Sequence, residues 1–173
     1  MRINRLLAPT LALAGAGALA VASGAAPGGG AAAKKITPEG VDGVKLGMTH
    51  KELRDKGLVG RIRPGCELAE NTRSARLLAP LRGQVNYTQS NPRKVTDISV
   101  RGGAKARGVG IGAKIPAIKA AFPKAKVDRS TEQVFGITLV RIPKNGGGRI
   151  QFALDTTTKR TTVIGVPRIA FCE

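Results

Sequence analysis

Aromatic and acidic residues are the scarce classes in this chain. Of its 173 residues, 3% are aromatic: four phenylalanines, one tyrosine and no tryptophan. Binding of single-stranded nucleic acid relies on aromatic platforms for base stacking, so that class is poorly supported. With so few aromatics the core is also expected to be aliphatic and modest. One histidine, His50, and two cysteines are present. Ser/His/Asp and Cys/His catalysis need a hydrogen-bonded chain of partners around the imidazole, and none is evident near His50. Eleven acids stand against 29 Lys and Arg. Glu52, Asp55, Asp97, Glu132 and Asp155 are scattered, whereas glycoside hydrolysis needs two carboxylates at a set separation. The spacing Gly108-x-Gly110-x-Gly112 is wrong for a dinucleotide loop. The expectation is a non-enzymatic protein with no cofactor and no metal.

What is present begins with a leader. Arg2 and Arg5 precede an apolar Ala/Leu run, and Ala20-Val21-Ala22 is a small-x-small cleavage site. Residues 1–22 therefore read as a secretory signal peptide, with a membrane anchor as the competing reading. No stable span is expected after cleavage, and the protein is expected outside the cell or at the cell wall. Residues 23–36, rich in Gly and Ala and ending in Lys34-Lys35, read as a flexible linker. Residues 37–173 read as a single domain, expected to be monomeric.

In a secreted chain an even cysteine count implies a bridge, and Cys66 and Cys172 allow one connectivity. A loop of that length is worth about 4–5 kcal/mol in the chain-entropy model. The bridge is expected to pin the C-terminus to the first half of the domain.

Two stretches resemble one another. GVKLGMTHKELRDKG (43–57) returns as GVGIGAKIPAIKAAFP (108–123), with Gly43, Val44, Gly47 and Leu53 matching Gly108, Val109, Gly112 and Ile118. Thr49 and Glu52 have the capping-box spacing, in which the hydroxyl accepts from the backbone at Glu52 and the carboxylate reaches back. Gly57 is placed to end that helix. In the second copy Ile115, Ile118 and Phe122 share a face, Pro116 suits the first turn and Pro123 stops the helix. Residues 82–89 and 95–101 read as a hairpin, and 133–142 as strand. Arg149 to Asp155 alternates, which predicts a half-buried strand with one wet face. The last strand runs over 161–172, bent near Gly165 and Pro167. The predicted fold is α+β. A helix-on-antiparallel-sheet unit is duplicated over about 37–102 and 103–173, giving about six to eight strands and two short helices on one face.

The string V-x-L-G-M-T-x-x-E-L-x-x-x-G, carried by Gly47, Met48, Thr49, Glu52 and Leu53, resembles a signature of the BamE-like (SmpA/OmlA) outer-membrane assembly lipoproteins and of the β-lactamase inhibitory proteins. The tandem copies look more like the inhibitor family. The chain is also similar to uncharacterised secreted actinobacterial proteins with a paired unit and a late cysteine. The resemblance implies a scaffold without an active site and a sheet face that meets a protein.

Charge is the remaining feature with functional content. The formal charge is +18. Removing residues 1–22, which hold two arginines and no acid, leaves +16. Arg61 and Arg63 precede Cys66. Arg101, Lys105 and Arg107 lie between the repeats, close to Lys114. Lys124, Lys126 and Arg129 follow the second helix. Such clusters attract polyanions in a salt-sensitive, sequence-blind way, so no specific nucleic acid is implied. Two readings follow: a secreted binding module of inhibitor-like type with an extracellular protein partner, or a basic protein held electrostatically on an anionic cell-envelope polymer.

Overall fold

β-Branched and polar residues alternate through most of the second half of the chain, and the strands follow that alternation. A computed structural model describes residues 33–65, 72–143 and 149–171. Near the N-terminus lie β1 (Lys34–Thr37), β2 (Gly40–Val41), β3 (Val44–Lys45) and α1 (His50–Asp55). Next come β4 (Val59–Pro64), β5 (Arg73–Leu77), β6 (Arg82–Tyr87), β7 (Val95–Gly102) and β8 (Ala104–Lys105). Then follow α2 (Ile115–Ala121), β9 (Lys126–Asp128), α3 (Glu132–Phe135), β10 (Ile137–Ile142), β11 (Ile150–Asp155) and β12 (Thr161–Val166).

Eight strands form one antiparallel sheet in the order β4-β5-β6-β7-β12-β11-β10-β9. A small second sheet runs β3-β2-β1-β8, with β1 and β8 parallel and Lys35 in register with Lys105. The inner face of the large sheet presents Val85, Ile98, Val100, Val140, Phe152 and Ile164. Leu53 of α1, Ile118 of α2, and Ile36, Val41 and Val44 of the small sheet complete the same core. Burying each large aliphatic side chain is worth about 1.5–3 kcal/mol, which is what holds helices of six and seven residues in place.

α1 is fixed by its cap. The Glu52 N–H donates to Thr49 Oγ1 at 3.2 Å, and the Thr49 N–H donates to Glu52 Oε2 at 2.7 Å. α2 lacks a side-chain cap but carries Pro116 in its first turn. The turns leading into the two helices match. Asp42 and Arg107 both have positive φ (40° and 46°), followed by Gly43 and Gly108, while Val41 bridges Val44 as Ala106 bridges Val109.

The outer face of the large sheet is divided. Over β10–β12, Leu139, Ala153 and Val163 are covered by Ile169, with Ile137 and Phe171 packed around them. The chain after β12 folds back to do this. The Ile169 N–H donates to Gln151 Oε1 at 3.0 Å, and the Phe171 ring stacks on Phe135 with centroids 5.0 Å apart. Gly165 makes the close return possible: a Cβ there would lie 2.5 Å from both Arg168 O and Ile169 Cγ1.

These observations correct the expected fold class. The described residues are mostly β, with two sheets and three short helices. They are not a duplicated helix-on-sheet α+β unit with two helices on one face. Gln133–Phe135, read as the start of a strand, belong instead to a single helical turn, Glu132–Phe135, closed by Gly136 in the left-handed region (φ 61°). The strand β11 has no wet face, because Gln151 and Ala153 lie beneath the C-terminal segment. Strand structure begins at Lys34, inside the segment assigned to the linker, because Ile36 packs into the core. The leader and the linker up to residue 32 lie outside the described residues. Among the described residues no helix is long and apolar enough to cross a membrane.

Candidate anion-binding site

One cleft combines an apolar floor with a cationic rim. It has a volume of about 400 Å³ and is built by three parts of the chain. β1 and the turn after it supply Lys35, Ile36, Thr37 and Pro38. The end of α2 and the residues beyond supply Phe122, Pro123, Lys124 and Ala125. Ile142, Pro143 and Ile150 close the far side, and Arg107 reaches in from the turn after β8. Phe122, Ile150 and Ile36 are nearly fully buried, so the floor is continuous with the core.

Lys35, Arg107 and Lys124 are exposed, and none forms an ion pair with a described carboxylate. Lys105, in register beside Lys35 on the parallel neighbour, adds a fourth cation at the margin. Like charges side by side on adjacent strands repel. Arg107 is the most constrained of the group. Its Cζ sits 5.2 Å from the centroid of the Phe122 ring, a cation–π contact that holds the guanidinium over the floor. Its φ of 46° is unusual for a non-glycine residue and costs on the order of 1 kcal/mol. An arginine fork in a partly apolar setting is suited to bidentate capture of a carboxylate or phosphate.

The other basic residues singled out by sequence are dispersed. Arg61 and Arg63 lie on β4, at the opposite side of the large sheet from the cleft. Arg63 is engaged locally, donating from Nε to Ser74 Oγ at 3.3 Å and from Nη2 to Gln84 Oε1 at 3.1 Å. Arg101 is exposed at the end of β7, and Lys114 precedes α2; neither lines the cleft. Thr49 and Glu52 serve α1 and face no cavity described here. Lys105 and Arg107 are thus the two of the six basic positions that the fold gathers. Lys35 was hidden in the apparent linker, and Lys124 appeared to belong to a separate cluster. The signal for Lys35 was the β-branched pair Ile36-Thr37 that follows it.

A second cavity, about 490 Å³, opens on the outer face between β6, β7 and the C-terminal segment. Asp97 is buried there. Its Oδ1 accepts from Asn86 Nδ2 at 2.6 Å and its Oδ2 from Thr96 Oγ1 at 3.0 Å. Burial pushes its pKa above 3.8, outweighing those hydrogen bonds and the nearby Arg168. His50 is half-buried: its Nε2 donates to the Gly60 carbonyl at 3.2 Å, and its ring meets Tyr87 edge-on at 5.5 Å. Among the described residues no three His, Cys, Asp or Glu side chains converge as a metal site would require.

Cys66 and Cys172 lie outside the described residues. Of the described residues beside them, Gly65 donates its N–H to Thr72 O at 3.0 Å, and Phe171 lines a cavity with Thr72. Comparison with known proteins adds no assignment to this geometry: no family model, no curated protein and no solved structure matches the chain.

Proposed function

We propose that this chain is a secreted, non-enzymatic binding module whose partner is anionic. The observation that carries the reading is the assembly of Lys35, Lys105, Arg107 and Lys124 from separate segments, with no described carboxylate paired to any of them. A cluster left unneutralised in a chain of charge +18 concentrates anions at one place on the surface. The test is retention of the purified protein on an anionic polymer of the cell-envelope type, measured in salt steps. Changing the four cluster residues to Ala is expected to flatten the salt dependence by about three log units per log salt, the scale of one counterion per neutralised charge. An equal-charge control alters Arg54, Lys56, Arg61 and Arg101 instead. Equal losses in the two variants would show that only total charge matters, and the reading would fail.

A second reading, a protein partner on the sheet as in inhibitor-like modules, has one specific support. Over β4–β7 the outer face carries a connected polar row. Beyond the two bonds from Arg63, Gln84 Nε2 donates to Asn86 Oδ1 at 3.4 Å, and Asn86 donates to Asp97. Side chains tied in this way are preorganised and lose little freedom on binding. A single protein captured in stoichiometric amount and retained through high salt would favour this face over the cleft.

A further inference from the structure

We infer that the cleft takes one amphipathic anion, a carboxylate carried on an aliphatic chain, with the head at Arg107 and Lys124 and the chain on the floor of Phe122, Ile142 and Ile150. The inference rests on the anion-binding reading above and narrows it. A site for a polymer needs only charge, but this cleft also has depth. Its volume of about 400 Å³ falls in the roughly 300–1,000 Å³ range of small-molecule pockets. The polar lining is almost wholly cationic among the described residues, which favours an anion over a neutral polar ligand. Among the described residues Thr37 is the only uncharged polar side chain in the wall, and its hydroxyl already donates to the Gly40 carbonyl at 3.4 Å. A sugar or amide ligand would lose water and find no uncharged side chain to replace it. An inorganic anion would use the cations and leave the floor wet.

Only a molecule with one charged end and one apolar end satisfies both halves. Arg107 is the residue that joins them. The Phe122 ring is at once the surface on which its guanidinium rests and part of the apolar floor. A carboxylate bound to the fork is therefore set at the mouth of the apolar surface, with its chain directed inward. The strained backbone at Arg107 is what places the fork there, in a turn whose counterpart at Asp42 has the same conformation.

Isothermal titration of the purified protein at physiological salt with decanoate, decanol and inorganic phosphate tests this. Decanoate should bind saturably with one site, and decanol and phosphate each about tenfold or more weakly. Arg107→Gln with Lys124→Gln should weaken decanoate about tenfold and leave decanol unchanged. Ile142→Thr, at a half-buried position on the wall, should weaken decanoate about threefold or more. Phosphate binding as tightly as decanoate would overturn the inference and leave the anion reading standing. Decanol binding as tightly would overturn it too, because the cations would then be bystanders. If polymer retention persists while none of the three ligands binds, the cleft is not a small-molecule site. If both are absent, the proposed function fails with it.

Discussion

Tyr87 carries its hydroxyl into the core and finds no hydrogen-bond partner for it among the described residues. Burial pushes its pKa up to about 12, so it is neutral throughout the useful pH range. A buried, unpaired hydroxyl costs about 1–3 kcal/mol in lost hydration, while the ring still packs against His50. Tyr87→Phe is therefore expected to raise stability by about 1 kcal/mol in urea unfolding; a loss of that size would show that the hydroxyl is satisfied. Asp97 presents the opposite problem, a buried group that ionises. Its folded pKa lies above the unfolded value of 3.8, so the folded state holds the proton more tightly. The associated cost is absent below the unfolded pKa and grows as pH rises through the folded one. Asp97→Asn keeps an acceptor for Asn86, so its stability relative to the parent is expected to improve as pH is raised from about 3 to about 6. A flat difference across that range would refute the assignment. Arg107 illustrates a third kind of cost, backbone strain at a turn residue, shared with Asp42 in the matching turn.

Among the elements, the C-terminal segment depends on one glycine. Everything after β12 must turn back over Gly165, and a methyl group at that position would overlap the backbone of Arg168. Gly165→Ala is expected to lift residues 167–171 off the sheet and expose Ala153, Val163 and Leu139 together, for about 3 kcal/mol or more. Hydrogen exchange should show the loss concentrated in β11 and β12; an unchanged exchange pattern would mean that the segment finds another path. This same element explains much of what the sequence concealed. Alternation in 149–155 does report a strand, and the turn cluster before Val95 reports a hairpin, because both signals are local. That Gln151 and Ala153 are covered depends on Ile169 and Phe171, which come from a distant part of the chain. Local pattern also misread Lys34–Thr37, where one buried isoleucine and parallel pairing with β8 outweigh a linker-like composition. Val134 and Phe135 read as strand by propensity, yet Gly136 closes them into a helical turn. The cap of α1 was legible because Thr49 and Glu52 act within three residues of each other. The cleft was legible only in part: its charges are visible as clusters, but which clusters meet is decided by sheet order.

At the scale of the whole molecule, acid stability is set by opposing groups. Hydrogen bonds from Thr49 hold Glu52 below 4.5, those from Ser130 hold Asp128 below 3.8, and those from Thr158 and Thr157 hold Asp155 below 3.8. Each contributes stability above its unfolded pKa that fades as pH falls through the lower folded value, whereas Asp97 contributes in the reverse sense. Melting temperature is expected to rise between about pH 3 and about pH 6, and to rise more steeply in Asp97→Asn. A parent whose stability falls over that interval would mean that Asp97 dominates the other three. We also propose that Cys66 and Cys172 form the bridge that ties the chain end to the region of Thr72. The native protein should show no titratable thiol, and the double change to Ser should cost about 2–5 kcal/mol. Two free thiols in the native protein would refute the pairing.

The two outermost strands of the large sheet carry one more consequence. β4 is bulged between Val59 and Ile62, bears Arg61 and ends in Pro64, while β9 has only three residues. An outermost strand normally offers its unpaired backbone as a template on which another extended chain can add itself, and irregularity, charge, proline and shortness all defeat such addition. The small sheet ends in strands of two residues each, β3 and β8. Backbone augmentation is thereby disfavoured at each described sheet edge, whether by a second copy or by a partner's extended peptide. Concentrated solutions of this protein are therefore expected to stay free of sheet-to-sheet fibres, which light scattering would check.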